Sequence, residues 1–298
     1  MLCADDGYSA GRSTGRMVLR DSIGKERGYA MKVVLFCGGM GLRMREASER
    51  TPKPMIPIGN RPLLLHLMKY YAHFGHTEFI LCLGYQAHVI KDYFLNYNEA
   101  LVNDFVLDGD GSIQLLKSDI RGWKISFVHT GLKASIGQRL RAVREHIGDD
   151  EYFLANYSDA LTDAPLPEIV ATMQQRDKIA TFLCVQPTAS FHFVSLKEHD
   201  LVADIQDVTR ANLWINGGFF AFRRDIFDYI GPGEELVEAP FRRLIDREQL
   251  LAHRYNGFWA PMDTLKDRDN LQTLFEGGQP PWAVWEQRER AEAELLVR

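Results

Sequence analysis

At 298 residues with 46% hydrophobic content, the chain carries enough apolar side chains to bury a sizeable core, and no Ser/Gly/Pro-rich linker divides it, so one main domain is expected. A formal net charge of −5 argues against nucleic acid as the main partner, since such proteins carry a strong basic balance. No apolar run approaches the roughly 18 residues that span a bilayer, and the first 30 residues lack the apolar stretch of a secretory signal, so no membrane partner is expected.

Residues 1–30 mix charges such as Asp5, Asp6, Arg12, Arg16, Lys25 and Glu26 without an apolar pattern, and read as a flexible N-terminal extension, an over-long gene start or an oligomer-contacting arm. Val33-Val34-Leu35-Phe36 then reads as a strand that runs into Gly38-Gly39-Met40-Gly41-Leu42-Arg43 and, a short loop later, Thr51-Pro52-Lys53-Pro54-Met55. Glycines there let the backbone approach phosphate without a Cβ in the way, while Arg43 and Lys53 supply positive charge. The spacing is neither a P-loop, which ends in Gly-Lys-Ser/Thr, nor a dinucleotide fingerprint, which continues into Gly-x-x-Gly. The glycines alone also fit an ordinary strand-to-loop turn. Two prolines around one lysine are more telling, because they restrict where its ammonium can reach. The whole reads as a grip for a nucleoside triphosphate.

Downstream, residues 62–74 read as a helix opened by proline, with Leu64, Leu67, Met68 and Tyr71 on one face, followed by the strand 79–83. A helix over 89–97, a strand over 125–128, a helix over 139–147 and a strand over 152–156 that delivers Asp159 continue the alternation. Such a pattern implies an α/β fold with a mainly parallel sheet, helices on both faces and a ligand crevice at the carboxyl ends of the strands. Residues 98–124 interrupt it. Asp108-Gly109-Asp110-Gly111-Ser112 between two mildly apolar stretches reads as a β-hairpin excursion rather than a calcium loop, because the later glutamate is missing. Asp263-Thr264 fits the cap of a helix over 265–275, and residues 286–298, with alternating charges, read as a C-terminal helical tail.

Cys3, Cys37, Cys82 and Cys184 are widely scattered, which favours buried thiols in a reducing cytosol over disulfides or a zinc site. His66, His73, His76, His88 and His253 show no metal-ligand spacing and read as packing or surface residues. Arg139 and Arg141 fit a solvated helix face.

Gly-Gly-x-Gly-x-Arg with the downstream Pro-Lys-Pro resembles the sugar-1-phosphate nucleotidyltransferase superfamily. From Met31 to about Trp285 the chain looks like the glucose-1-phosphate cytidylyltransferases, through Pro52-Lys53-Pro54-Met55, Gly84-Tyr85, Val89 to Phe94, Asp149-Asp150-Glu151, Ile215-Asn216-Gly217-Gly218-Phe219-Phe220 and Gly257 to Leu265. The resemblance implies a Rossmann-like catalytic domain over 31–285 that forms an NDP-sugar and pyrophosphate from an NTP, CTP by overall likeness, and a sugar 1-phosphate. It implies Arg43 and Lys53 as catalytic cations and Asp159 and Asp263 as ligands of a divalent ion. Mg²⁺ suits that pair, preferring hard oxygens from one or two carboxylates, waters and phosphates. It also implies Gly38, Gly39 and Gly41 beside the nucleotide, Thr130 and Gly137 near the base, Arg139 assisting the triphosphate, and Asp207, Arg210, Asn216, Gly217 and Gly218 around the acceptor. Relatives form homo-oligomers, which the aromatic runs at Phe258-Trp259 and Trp282 to Trp285 fit as contacts and fit equally as core.

Several positions depart from that pattern. Leu42 stands where the family usually has threonine, Ser158 and Ala160 where glycines flank the metal aspartate, Asp207-Val208-Thr209 where Glu-Lys-Pro is usual, and Ser190-Phe191-His192 where Arg-Phe-Gly is usual. Val208 removes a cation that normally meets the acceptor phosphate, a charge-assisted contact whose loss is costly in a dry site. Arg210 is placed to compensate, and His192 intrudes on the room glycine leaves. The nucleotide half reads as intact and the acceptor half as remodelled. Two readings result: a cytidylyltransferase with an altered acceptor, or a non-catalytic, regulatory nucleotide-binding homologue.

Overall fold

The computed structural model describes residues 18–20, 26–39, 51–187, 192–208 and 213–286. Gly41, Arg43 and Arg210, together with the expected tail helix beyond residue 286, lie outside the described residues. The chain divides into two compact units, Met1–Ala30 and Met31–Arg298. In the first, Val18–Arg20 and Glu26–Tyr29 pair antiparallel, Val18 opposite Tyr29.

In the second unit, continuous apolar runs become the strands of an eight-stranded sheet. Strand β1 (Val33–Phe36) lies between β2 (Glu78–Leu83) and β4 (Tyr152–Asn156), parallel to both, and β2 pairs in parallel with β3 (Lys124–His129) at the edge. The chain leaves β1 toward β2 and returns to β4 on the other side of β1. Ligands of open α/β sheets bind at such a switch point, outside the carboxyl ends of the strands.

Beyond β4 the direction reverses. Strand β8 (Phe220–Arg223) is antiparallel to β4 and to β6 (Ala180–Val185), and β6 pairs in parallel with β9 (Leu250–Tyr255). The short β7 (Ile215–Asn216) meets the same edge of β6 as β8, with Cys184 opposite Asn216 but Thr181 opposite Ala221, a slip of two residues. Gly217, Gly218 and Phe219 absorb it, the last two at φ of 79° and 50°. A Cβ on Gly218 would lie 2.7 Å from Asn156 Oδ1, so glycine is required there by conformation and by space.

Side-chain alternation sorts the core into two layers. Val33, Leu35 and Leu81 face α1 (Leu63–His73) and α5 (Leu166–Gln175), whereas Val34, Phe36, Ile80, Phe153 and Phe222 face α3 (Ile136–Ala142), α4 (Arg144–Ile147) and α6 (Ala239–Asp246). Each such side chain contributes about 1.5–3 kcal/mol on full burial. Trp282 belongs to the first layer, and Phe258, Trp259 and Trp285 pack against it, so these aromatics serve the core.

Most expected elements stand within a residue or two of their places: α1 spans Leu63–His73, α2 Ala87–Leu95 and α7 Leu265–Glu276. The helix expected over 139–147 begins earlier, because Ser135 and Gln138 form a capping box, and it breaks at Val143. The excursion is a hairpin off the main sheet, Phe105–Leu107 paired with Ile113–Leu115. Its aspartates serve the turn: Ser112 donates from N to Asp110 Oδ1 and from Oγ to Asp108 Oδ2. A second ribbon, His192–Leu196 with Val202–Asp207, has no counterpart among the elements expected from sequence. Among the described residues no helix is long and apolar enough to cross a membrane.

Candidate active site

The carboxyl ends of β1 and β4 deliver two short segments side by side. Gly38 and Gly39 follow β1, and Tyr157, Ser158 and Asp159 follow β4. They line a cavity of ≈ 390 Å³ together with Lys53, Pro54, the 132–136 loop, Arg139 and Glu235.

Lys53 opens a single 3-10 turn, Lys53–Met55, that begins after Pro52 in extended geometry and closes with Met55 N donating to Pro52 O. Pro54 and Met55 are buried, so backbone and packing fix where the lysine departs. Asp159 and Asp263 are far apart in sequence and meet through a two-stranded pair. Strand β5 (Ala160–Thr162) runs antiparallel to β10 (Trp259–Pro261), Ala160 opposite Pro261, and Met262 N donates to Asp159 O at 2.8 Å. Register thus places the two aspartates at the same end of one small ribbon.

Their carboxylates converge on one nitrogen. Lys53 Nζ donates to Asp159 Oδ2 at 3.1 Å and to Asp263 Oδ1 at 2.6 Å. The lysine side chain is 14% exposed and the aspartates 36% and 40%. Burial alone would lower the Lys53 pKa, but the fields and hydrogen bonds of the two carboxylates outweigh it and hold the ammonium above its ordinary value.

The neighbouring backbone is specialised. Ser158 sits at φ 65°, fully buried, and its Oγ accepts from Cys37 Sγ at 3.6 Å. An L-residue there is strained, which accounts for the glycine expected at this position. Burial pushes the Cys37 thiol up to about 12, so it stays protonated and inert. Cys82 and Cys184 are likewise free and buried, in agreement with the sequence reading.

Arg139 departs from one of its two readings. It is 3% exposed instead of lying on a solvated helix face, and it donates to Gly38 O at 3.0 Å, Thr130 Oγ1 at 2.8 Å, and the carbonyls of Leu83 and Leu132. Arg141 donates to the Ile230 carbonyl. Thr130 is therefore tied to the arginine and, through its own hydroxyl, to Leu83 O at 3.1 Å. Gly137 packs α3 against the 234–236 backbone: a Cβ there would lie 2.4 Å from Glu234 O.

Of the remaining expected site residues, Asn216 reaches the cavity through Tyr157, whose hydroxyl accepts from Asn216 Nδ2 at 3.0 Å. Gly217 O accepts from Trp259 Nε1 at 2.9 Å, and Gly218 N donates to Asn216 Oδ1 at 2.9 Å. Asp207 stands opposite His192 at the end of the second ribbon and does not line this cavity. Sequence reasoning missed Tyr157, Lys133 and Glu235, which line it. Glu235 accepts from Ile136 N at 3.1 Å, a link between distant loops that no motif marks.

A sequence model of the family described as nucleotidyl transferase matches residues 32–260. The chain belongs to that family. This nucleotidyl transferase is 33% identical to the glucose-1-phosphate cytidylyltransferase of Salmonella typhimurium over 257 residues, 86% of this chain and 100% of that protein. It is 35% identical over 258 residues, again 86% and 100%, to the Bacillus subtilis protein named probable glucose-1-phosphate cytidylyltransferase. In three dimensions it resembles a UTP-bound UGPase from Acinetobacter baumannii, with a TM-score of 0.63 at 15% identity over 88% of this chain and 99% of that one, a likeness that speaks for the fold alone. The mainly parallel α/β architecture and the membership expected from the glycine turn and Pro-Lys-Pro are both borne out.

Proposed function

We propose that this protein transfers a cytidylyl group from CTP to a sugar 1-phosphate, releasing pyrophosphate. Nucleotidyl transfer to a sugar 1-phosphate is supported by family membership, and CTP by the names of the relatives in Salmonella typhimurium and Bacillus subtilis. The observation that carries the reading is the convergence of Asp159, Asp263 and Lys53 beside Gly38 and Gly39 at the switch point of the sheet.

In this reaction an oxygen of the sugar phosphate attacks the α-phosphorus, a new P–O bond forms, and the bond to the β-phosphate breaks with pyrophosphate as leaving group. The attacking group is already anionic, so no protein nucleophile is required. The residues' task is to bring two polyanions together and stabilise the crowded phosphorus centre, which is positioning and electrostatics. Lys53 supplies an ammonium for the triphosphate, and the family pattern assigns Arg43 and Gly41 of the glycine turn to the same phosphates. Arg139 holds the turn by the Gly38 carbonyl. Tyr157 and Asn216 offer hydroxyl and amide groups on the acceptor side.

The donor set fits a divalent ion. Two carboxylates that share one ammonium are converging hard oxygen ligands, the kind of pair on which Mg²⁺ completes its shell with waters and phosphates. Asp159 and Asp263 would hold it, and when bound it neutralises phosphate charge and orients the leaving group.

Val208, at the family's lysine position, is 3% exposed. A buried valine offers the acceptor phosphate no charge, which supports an acceptor other than glucose 1-phosphate. Together with Leu42, it also favours the non-catalytic reading. Incubation with each NTP, Mg²⁺, pyrophosphatase and a panel of sugar phosphates separates the two: phosphate release with CTP and one acceptor, with the CDP-sugar identified by mass, is expected. Tight CTP binding with silence toward every acceptor would leave the regulatory reading standing.

A further inference from the structure

We propose that the Lys53 ammonium is a built-in stand-in for the divalent ion at the Asp159–Asp263 pair, so that lysine and ion occupy the pair by turns and the ion enters with the nucleotide. The inference rests on the reading of that pair as the metal site.

Three observations carry it. The ammonium bridges both carboxylates, at 3.1 and 2.6 Å, which is the position a shared cation takes. The backbones of the two aspartates are held together by the β5–β10 register and by bonds from Met262 N to Asp159 O at 2.8 Å and from Asp263 N to Asp267 Oδ2 at 3.1 Å, so both short side chains start from the same end of one ribbon and their like charges favour a shared cation. The lysine backbone is fixed by the Pro52–Pro54 turn, while a lysine stem of four carbons has the rotatable bonds to carry its ammonium to a different anion in the cavity it lines.

The exchange has two consequences. A bare divalent ion must displace a neutralising ammonium already in place, and therefore binds weakly. A triphosphate in the adjoining cavity gives the ammonium another anionic partner and frees the carboxylates, so nucleotide and metal favour each other's binding, by the same factor in each direction.

The test uses Mn²⁺, an oxygen-seeking paramagnetic probe, titrated into the full-length protein and followed by electron paramagnetic resonance. Wild type without nucleotide should bind it weakly. Lys53→Gln should bind Mn²⁺ at least tenfold more tightly in the absence of nucleotide, Lys53→Met should do the same, and Lys53→Arg, which keeps a cation, should stay near wild type. Thermal unfolding shows which variants are folded, and either neutral substitution suffices. If Lys53→Gln or Lys53→Met binds Mn²⁺ no better than wild type, while Asp159→Asn and Asp263→Asn still weaken Mn²⁺ binding in the presence of CTP, the stand-in role is wrong and the metal pair survives. If neither asparagine variant changes Mn²⁺ binding with CTP present, the metal-pair reading is wrong and this inference goes with it.

Discussion

Arg139 Nη2 donates to the carbonyl oxygen of Gly38 at 3.0 Å, and a Cβ added to Gly38 would lie 2.0 Å from the neighbouring Nη1 of the same guanidinium. The arginine is buried and already bonded to Thr130 and two further carbonyls, so it has little room to retreat. Gly39, one residue on, would meet nothing within 4 Å.

These neighbours should therefore respond differently to the same change. Gly38→Ala is expected to displace Arg139, lower stability by about 1–3 kcal/mol through stranded buried hydrogen bonds, and cut kcat/KM more than tenfold. Gly39→Ala should leave Tm unchanged and raise only the KM for nucleotide, by crowding the phosphates. Calorimetry and steady-state kinetics on both variants check this, and equal Tm losses would contradict it.

The cap of α7 links helix stability to the site. Thr264 Oγ1 accepts from Asp267 N at 3.2 Å, while Asp267 Oδ2 accepts from Thr264 N at 2.8 Å and from Asp263 N at 3.1 Å. Thr264→Ala should cost about 1 kcal/mol, as loss of a threonine N-cap usually does. Asp267→Ala should cost a similar amount but also lower kcat/KM about tenfold, because the backbone of Asp263 loses its anchor. Chemical denaturation paired with kinetics separates the two effects.

Stability should fall in mild acid. His66 Nε2 donates to Ile58 O at 3.0 Å and its Nδ1 accepts from Trp282 Nε1 at 3.3 Å, while His76 Nδ1 accepts from Met31 N at 3.1 Å, so both rings are neutral in the fold. Burial lowers each from 6.5 to about 4. Between those values the unfolded chain binds protons that the folded chain does not, so the contribution is complete above about pH 6.5 and is lost as pH falls toward about 4. Each shift is worth on the order of 3 kcal/mol. Urea unfolding across this range should show the decline, and His76→Gln should flatten it; an unchanged slope in that variant would be at odds with a buried neutral His76.

Much of the site was legible in sequence because it lies on continuous apolar strands. Val33 to Phe36 announces a buried parallel strand, and the residues just past the carboxyl end of such a strand face the ligand crevice, so Gly38, Gly39 and Asp159 could be placed. The meeting of Asp159 with Asp263 came from resemblance instead, since it depends on two three-residue strands too short to carry a periodic signal. The burial of Arg139 was not legible for a local reason. Its face depends on where α3 starts, and the capping box of Ser135 and Gln138, readable as Ser-x-x-Gln, sets that start before it. The ribbon of His192–Leu196 and Val202–Asp207 escaped notice because apolar residues such as Val194, Leu196, Val202 and Ile205 stay exposed on it and mimic no buried pattern.

The central claim is that Asp159, Asp263 and Lys53 form one centre for cytidylyl transfer. Its most direct test is transfer of label from α-³²P-CTP to a sugar 1-phosphate with Mg²⁺, in wild type and in Asp159→Asn and Asp263→Asn variants of unchanged Tm. Labelled CDP-sugar from wild type, reduced by at least a hundredfold in each variant, is the expected result. Product formed equally well by either variant, or labelled CTP left intact by wild type with every acceptor, would contradict it.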